Sequence, residues 1–211
     1  MRSANLARGE RAGIDPRKGG GALDELRAAT SHCHRRLEKR LGIAQRFANR
    51  NTYRDYLEAM FGYCAPVEQA LSRHPIRHVV TDLRERRKAA LLVADLQALG
   101  ATPEGIASLP RCLQLPACQD EAAALGALYV LEGATLGGQV LQAMVRQRLQ
   151  LTPQSGASYL SSYGPNVAPM WQRFCSIVED WCADGARQAV AATAAIATFE
   201  SLEQWLCGEP A

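Results

Sequence analysis

A chain of 211 residues, 47 % apolar and 21 % charged, has the length and composition of one globular domain with a sizeable core. Its net charge of +3 is too small to point to nucleic acid, and no stretch joins a basic stripe to stacking aromatics. No run of about 18 apolar residues is present, so no membrane span is expected. Seven cysteines without a CxxC spacing read as reduced thiols in a cytoplasmic protein.

The first 21 residues, ending Lys18-Gly19-Gly20-Gly21, carry arginines but no apolar core. They read as a disordered tail rather than a secretory signal, with the helical domain over 22–211. From there the 3.6-residue period recurs and period two is never sustained. Residues 23–41 form an amphipathic helix with Leu23, Leu26, Thr30, His34, Leu37 and Leu41 on one face. Asn51 is the expected cap of a helix running through Tyr53, Tyr56, Met60 and Tyr63 to Leu71, kinked at Pro66. A third helix is expected over 81–99, ending at Gly100. Its Arg84, Arg86, Arg87 and Lys88 read as a solvated face.

Pro103, Pro110 and Pro116 make 101–118 a connection with at most short helical pieces. Asp120 then caps a long helix over about 121–149, and a second loop covers 152–169. Two last helices, about 169–182 and 186–206, meet at Asp184-Gly185. The expected fold is all-α.

The long helix carries Leu131-Glu132-Gly133-Ala134-Thr135-Leu136-Gly137-Gly138-Gln139. Each interior glycine costs a helix about 1 kcal/mol relative to alanine. Gly126, Gly133 and Gly137 fall on one narrow strip, so something needs the bare backbone there. Either a second helix packs close or a flat ligand lies on the strip.

On the first helix His34 sits at the centre of the apolar face, either as a hydrogen-bonded core residue or as a ligand. Glu38 follows at i+4, placed to orient the imidazole or merely to pair with Arg35 or Arg36. Arg27, at i−7 on the same strip, is placed to meet a carboxylate on a ligand rim. One imidazole does not make a structural zinc site, but it suits haem, whose macrocycle supplies the remaining iron ligands. His34 on one wall and the glycine strip on the other would form a slot for it.

Leu26-Arg27-Ala28-Ala29-Thr30 with His34 and Leu37-Glu38 resembles the proximal helix of haem oxygenases. Ala127-Leu128-Tyr129-Val130-Leu131-Glu132-Gly133 with Leu136-Gly137-Gly138-Gln139-Val140 resembles their distal helix. The resemblance spans about 22–206 and is closest to the bacterial, biliverdin-producing branch associated with bacteriophytochromes. It implies a single-domain helical bundle with haem between proximal and distal helices. It also implies cleavage of haem, both substrate and cofactor, to biliverdin, carbon monoxide and ferrous iron, using O2 and electrons from an external reductase. A ferredoxin- or flavodoxin-type donor and a bacteriophytochrome as biliverdin acceptor are the implied partners.

Carried residue by residue, the resemblance makes His34 the axial metal ligand, Glu38 its orienting partner and Arg27 a propionate partner. Gly133 and Gly137 become the kinked distal wall, with Gly138 supporting close approach. Tyr129, Tyr163 and Arg173 are placed near the propionates, Tyr63 in a distal hydrogen-bond network, and Thr135 as a substitute proton relay. Such a relay is needed because animal members carry an aspartate where this chain has Ala134. That departure keeps alive a rival reading, a haem carrier of the same fold that does not turn over. A same-fold enzyme acting on another small molecule would leave His34 and Glu38 idle.

Overall fold

In a computed structural model, residues 20–208 are described. The expected tail falls mainly outside them. Eight α-helices follow in order: α1 (Ala22–Leu41), α2 (Ile43–Arg46), α3 (Arg50–Arg73), α4 (Ala89–Ala98), α5 (Pro103–Ser108), α6 (Glu121–Leu149), α7 (Val167–Trp181) and α8 (Gly185–Cys207). Two short 3-10 turns lie at Pro75–His78 and Gly164–Asn166. Among the described residues there is no strand.

The helix starts are fixed by side chains, several of them distant in sequence. Gly21 offers α1 no cap, so the Glu179 carboxylate of α7 does it, accepting from Ala22 N at 2.9 Å and Leu23 N at 3.2 Å. A negative charge at a helix N-terminus also complements its dipole. For α3 the cap is Asn49 rather than Asn51. Asn49 and Thr52 form a capping box, and Asn51 merely donates its N–H to the Asn49 side chain. The helix continues through Pro66. Asp120 caps α6 and Asp184 caps α8, the latter through Arg187 N at 2.9 Å.

The expected helix over 81–99 forms only in its second half. Residues 79–86 are turns, and α4 starts at Ala89 because Glu68 of α3 accepts the Lys88 and Ala89 N–H groups. Asp95 of α4 then accepts from Ser158 N at 2.7 Å and Tyr159 N at 2.8 Å, anchoring the loop that follows α6.

Helix α8 packs along both α1 and α6, so the three make the frame of the molecule. Arg36 and Arg40 of α1 reach Glu203 of α8 at 2.6 and 2.7 Å. Helix α6 is long and apolar enough to cross a membrane by length and composition alone, but 56 % of its apolar window is buried within the fold. All seven cysteines carry free thiols.

Candidate active site

The buried stripe of α1 runs through Ala22, Leu26, Thr30, Cys33 and Leu37, keeping Leu26, Thr30 and Leu37 of the expected face but with Ala22 and Cys33 in place of Leu23 and His34. His34 is therefore not a core residue. It stands at the edge of the stripe, its side chain 57 % exposed, and lines a cavity of about 410 Å³ between α1 and α6. Its ring meets Phe199 of α8 edge-on at 5.8 Å between centroids. Nδ1 lies 3.6 Å from Glu38 Oε2, longer than a hydrogen bond but close enough for the carboxylate to bias which nitrogen carries the proton. Nε2 is the nitrogen left to bind a metal.

Arg27 and Arg35 add cations to the α1 side of this cavity. Arg27 pairs with Asp24 at 3.3 Å, but both are more than half exposed, so the pair gives way to a stronger anion at little cost. Opposite, α6 contributes Tyr129, Val130, Gly133 and Ala134, and Trp171 of α7 extends that wall, its ring 5.8 Å from Tyr129. Burial pushes the Tyr129 phenol up, so it is neutral and available as a donor at ordinary pH.

The glycines of α6 divide between the two explanations open to them. A Cβ on Gly126 would overlap the Ala191 carbonyl of α8, and one on Gly138 would sit 2.8 Å from the Leu160 carbonyl. These two exist for close packing. A Cβ on Gly133 would meet nothing nearer than the Trp171 ring at 3.9 Å, and one on Gly137 nothing within 4 Å. No neighbouring chain demands those two, and Gly133 faces the cavity opposite the α1 wall.

Other residues singled out from the sequence lie elsewhere. Tyr63 is fully buried and donates to the Thr198 carbonyl at 3.2 Å, so its hydroxyl is committed to the α3–α8 contact. Thr135 donates to the Glu132 carbonyl of its own helix at 2.6 Å and is not on the cavity wall. Arg173 pairs with Asp82 at 3.3 Å. Tyr163 reaches behind α6, where its hydroxyl donates to Glu132 at 2.8 Å. The structure thus gathers Arg27, His34, Tyr129 and Gly133 at one cavity, with Glu38 beside it, and separates Tyr63, Thr135, Tyr163 and Arg173 from it. Trp171, Phe199 and Arg35 join the cavity without having been singled out for it. Their helical period marks them only as core or surface.

The basic cluster is likewise not a solvated face. Arg86 and Lys88 are 3 % and 5 % exposed. Arg86 grips Asp82 bidentately at 2.7 and 2.8 Å and reaches Glu132 at 2.5 Å. Lys88 Nζ donates to Tyr163 Oη at 2.6 Å and to Glu132 at 3.2 Å. Burial alone would raise the Asp82 carboxyl, but its bonds to Arg86 outweigh that and hold it below the usual range. Burial lowers Lys88, with Glu132 opposing the shift. Tyr163 takes up a left-handed backbone, φ +63°, at a cost of about 1–3 kcal/mol that its bonds to Glu132 and Lys88 offset.

His34 on one wall and Gly133 on the other thus line a single cavity. The model of the family described as "Heme oxygenase" matches residues 21–207. The chain belongs to the haem oxygenase family. It is an enzyme of haem degradation. A heme oxygenase from Xanthomonas campestris pv. campestris is 29 % identical over 170 residues, covering 79 % of this chain and 96 % of that relative. Heme oxygenase PigA from Pseudomonas aeruginosa is 28 % identical over 156 residues, covering 73 % of this chain and 75 % of that protein. The fold matches the NO- and CO-bound heme oxygenase of Neisseria meningitidis with a TM-score of 0.75 at 19 % identity, covering 90 % of this chain and 94 % of that one. The heme oxygenase of Leptospira interrogans matches at 0.73 and 18 %, covering 90 % of this chain and all of that one (100 %). The all-α haem oxygenase fold expected from the two helix motifs is the fold of this haem oxygenase.

Proposed function

We propose that this haem oxygenase cleaves haem to biliverdin, carbon monoxide and ferrous iron, using O2 and electrons from an external donor of the ferredoxin or flavodoxin type. The observation that carries the reading is the single cavity shared by His34 and Gly133. Its chemistry suits the substrate: one imidazole for iron, aromatic and aliphatic walls for the macrocycle, and arginines for the propionates. Bound haem supplies the iron that activates dioxygen.

The chain's own residues do the rest. His34 would hold the iron through Nε2, and Glu38, 3.6 Å from Nδ1, would orient the ring. Arg27 and Arg35 hold the acidic edge of the substrate and fix its rotation in the slot. Gly133 leaves the α6 backbone bare on the opposite wall, where it would come close to a bound macrocycle and limit the space open to dioxygen. Ala134 supplies no acid, and the Thr135 and Tyr63 hydroxyls are bonded elsewhere, which leaves the Tyr129 phenol and water against the bare backbone at Gly133 to carry protons in this cavity.

Ala134 also favours the second reading, a carrier that binds haem without opening it. Titration with hemin followed by reductant under air separates the two. Turnover replaces the Soret band with the broad red absorption of biliverdin, whereas a haem spectrum that persists with a ferredoxin and its reductase establishes the carrier. His34→Ala is expected to lose the axial-ligand spectrum and all turnover. Its unfolding free energy should stay within about 0.5 kcal/mol of the parent, as for other exposed substitutions.

A further inference from the structure

A second cavity, of about 270 Å³, lies behind α6, on the side away from His34. Its surface is mostly apolar, walled by Leu71, Val80, Leu83, Leu128 and Leu131, with the buried Arg86 and Lys88, both engaged by Glu132, behind them. The haem reading makes no use of it. Two carboxylates, Glu68 and Glu132, also reach its wall, yet neither is open to a cation. Glu132 accepts from Arg86, Lys88 and Tyr163, and Glu68 caps α4 through Lys88 N and Ala89 N.

The cations at the mouth are in a different position. Arg77, Arg84 and Arg87 are exposed and line the same cavity. Arg87 forms an ion pair with Glu68 through Nε at 3.7 Å, too long for a hydrogen bond, which leaves its two terminal nitrogens unengaged by a carboxylate. Among the described residues no carboxylate stands at ion-pair distance from Arg77 or Arg84, and Arg77 makes only a 3.3 Å contact to His78. A chamber with an arginine mouth, whose two wall carboxylates are already engaged, disfavours a cation, and its largely apolar walls disfavour a fully hydrated anion.

We propose that this chamber is a second binding site, for a small carboxylic acid with an apolar body. The tail would lie against Leu128 and Leu131, and the carboxylate would be gripped at the mouth by Arg84 and Arg87, whose planar forks suit it. The volume is just under the ~300 Å³ at which small-molecule pockets begin, so a medium-chain or single-ring acid fits and a tetrapyrrole does not.

The test is calorimetric titration of the haem-loaded protein with octanoate, octanol and inorganic phosphate. Filling the first site with haem leaves the second as the place for a new ligand. Octanoate is expected to bind once per chain without disturbing the Soret band. Octanol, and octanoate with the Arg84→Gln/Arg87→Gln double variant, should bind about tenfold more weakly, the worth of one charge-assisted bond. Both arginines are exposed, so the variant folds, and its amide spectrum checks that it has. Several outcomes would each overturn the proposal: no octanoate binding up to millimolar concentrations, equal binding of octanol or phosphate, an unchanged affinity in the double variant, or displacement of haem. None of these touches the assignment of the first cavity, which hemin titration tests separately.

Discussion

The two sides of α6 are built in opposite ways. Toward His34 the helix is stripped: Gly133 and Ala134 leave backbone as the cavity wall, and nothing stands within 4 Å of where a Gly137 Cβ would be. Toward the rear it is locked, with Glu132 tied to three partners from two distant segments. A helix weakened by glycines on one face needs its position fixed from the other. The rear network supplies that, one residue before Gly133. A substrate wall of bare backbone is thus a property of both faces, and the charges behind it are part of how the front is held.

Breaking the rear face should have the largest effect. Glu132→Ala leaves the buried Arg86 with Asp82 alone and the buried Lys88 with no carboxylate at ion-pair distance among the described residues, and removal of one partner from a buried charged cluster costs about 3–5 kcal/mol. Chemical denaturation checks the size. If the rear holds the front, the hemin affinity of the folded fraction falls as well. An unchanged affinity would confine Glu132 to stability.

Asp82→Asn tests the outer half of the same network, with an expected loss of about 1.5–3 kcal/mol, as for a hydrogen bond to a charged group. Its pH dependence is the sharper readout. The folded carboxyl lies below its ordinary value of 3.8, so the stability it contributes is fully present above that value and drains away as pH falls through the folded value. The gap between wild type and variant should therefore be constant near neutrality and shrink below about pH 4. A gap that persists into stronger acid would mean that the amide's shape, not the charge, is at fault.

What the sequence made legible follows the same division. That Gly133 on α6 and His34 on α1 would meet across one cavity was readable, because glycine spacing and i+4 pairing are local. So were α1, α3, α6, α7 and α8, to within two or three residues. The rear was not. Arg86 and Lys88 find Glu132 44 to 46 residues away, and Tyr163 finds it 31 away, across a loop with no period to follow. A cluster of four basic residues in a row of five is ordinarily solvated, and nothing local says that two of them turn inward. The break in the expected helix at 81–99 has the same origin. It is imposed by Glu68, which caps α4 from twenty residues upstream.

The smallest effects come from glycine pairs one residue apart, and they separate packing from function most cleanly. Gly138→Ala drives a methyl to 2.8 Å from the Leu160 carbonyl, which is backbone and cannot rotate away, so a loss of about 1–3 kcal/mol is expected from overpacking. Gly137→Ala meets open space in ordinary helical backbone. It should stabilise the apoprotein by about 0.5–1 kcal/mol through helix propensity alone. Gly137 is then a residue the fold would be better without, and its presence requires a cost elsewhere. If that cost is paid at the substrate wall, the more stable variant turns haem over more slowly. If stability and turnover rise together, the bare strip of α6 ends at Gly133, and the distal wall is one turn shorter than the haem oxygenase motif implies.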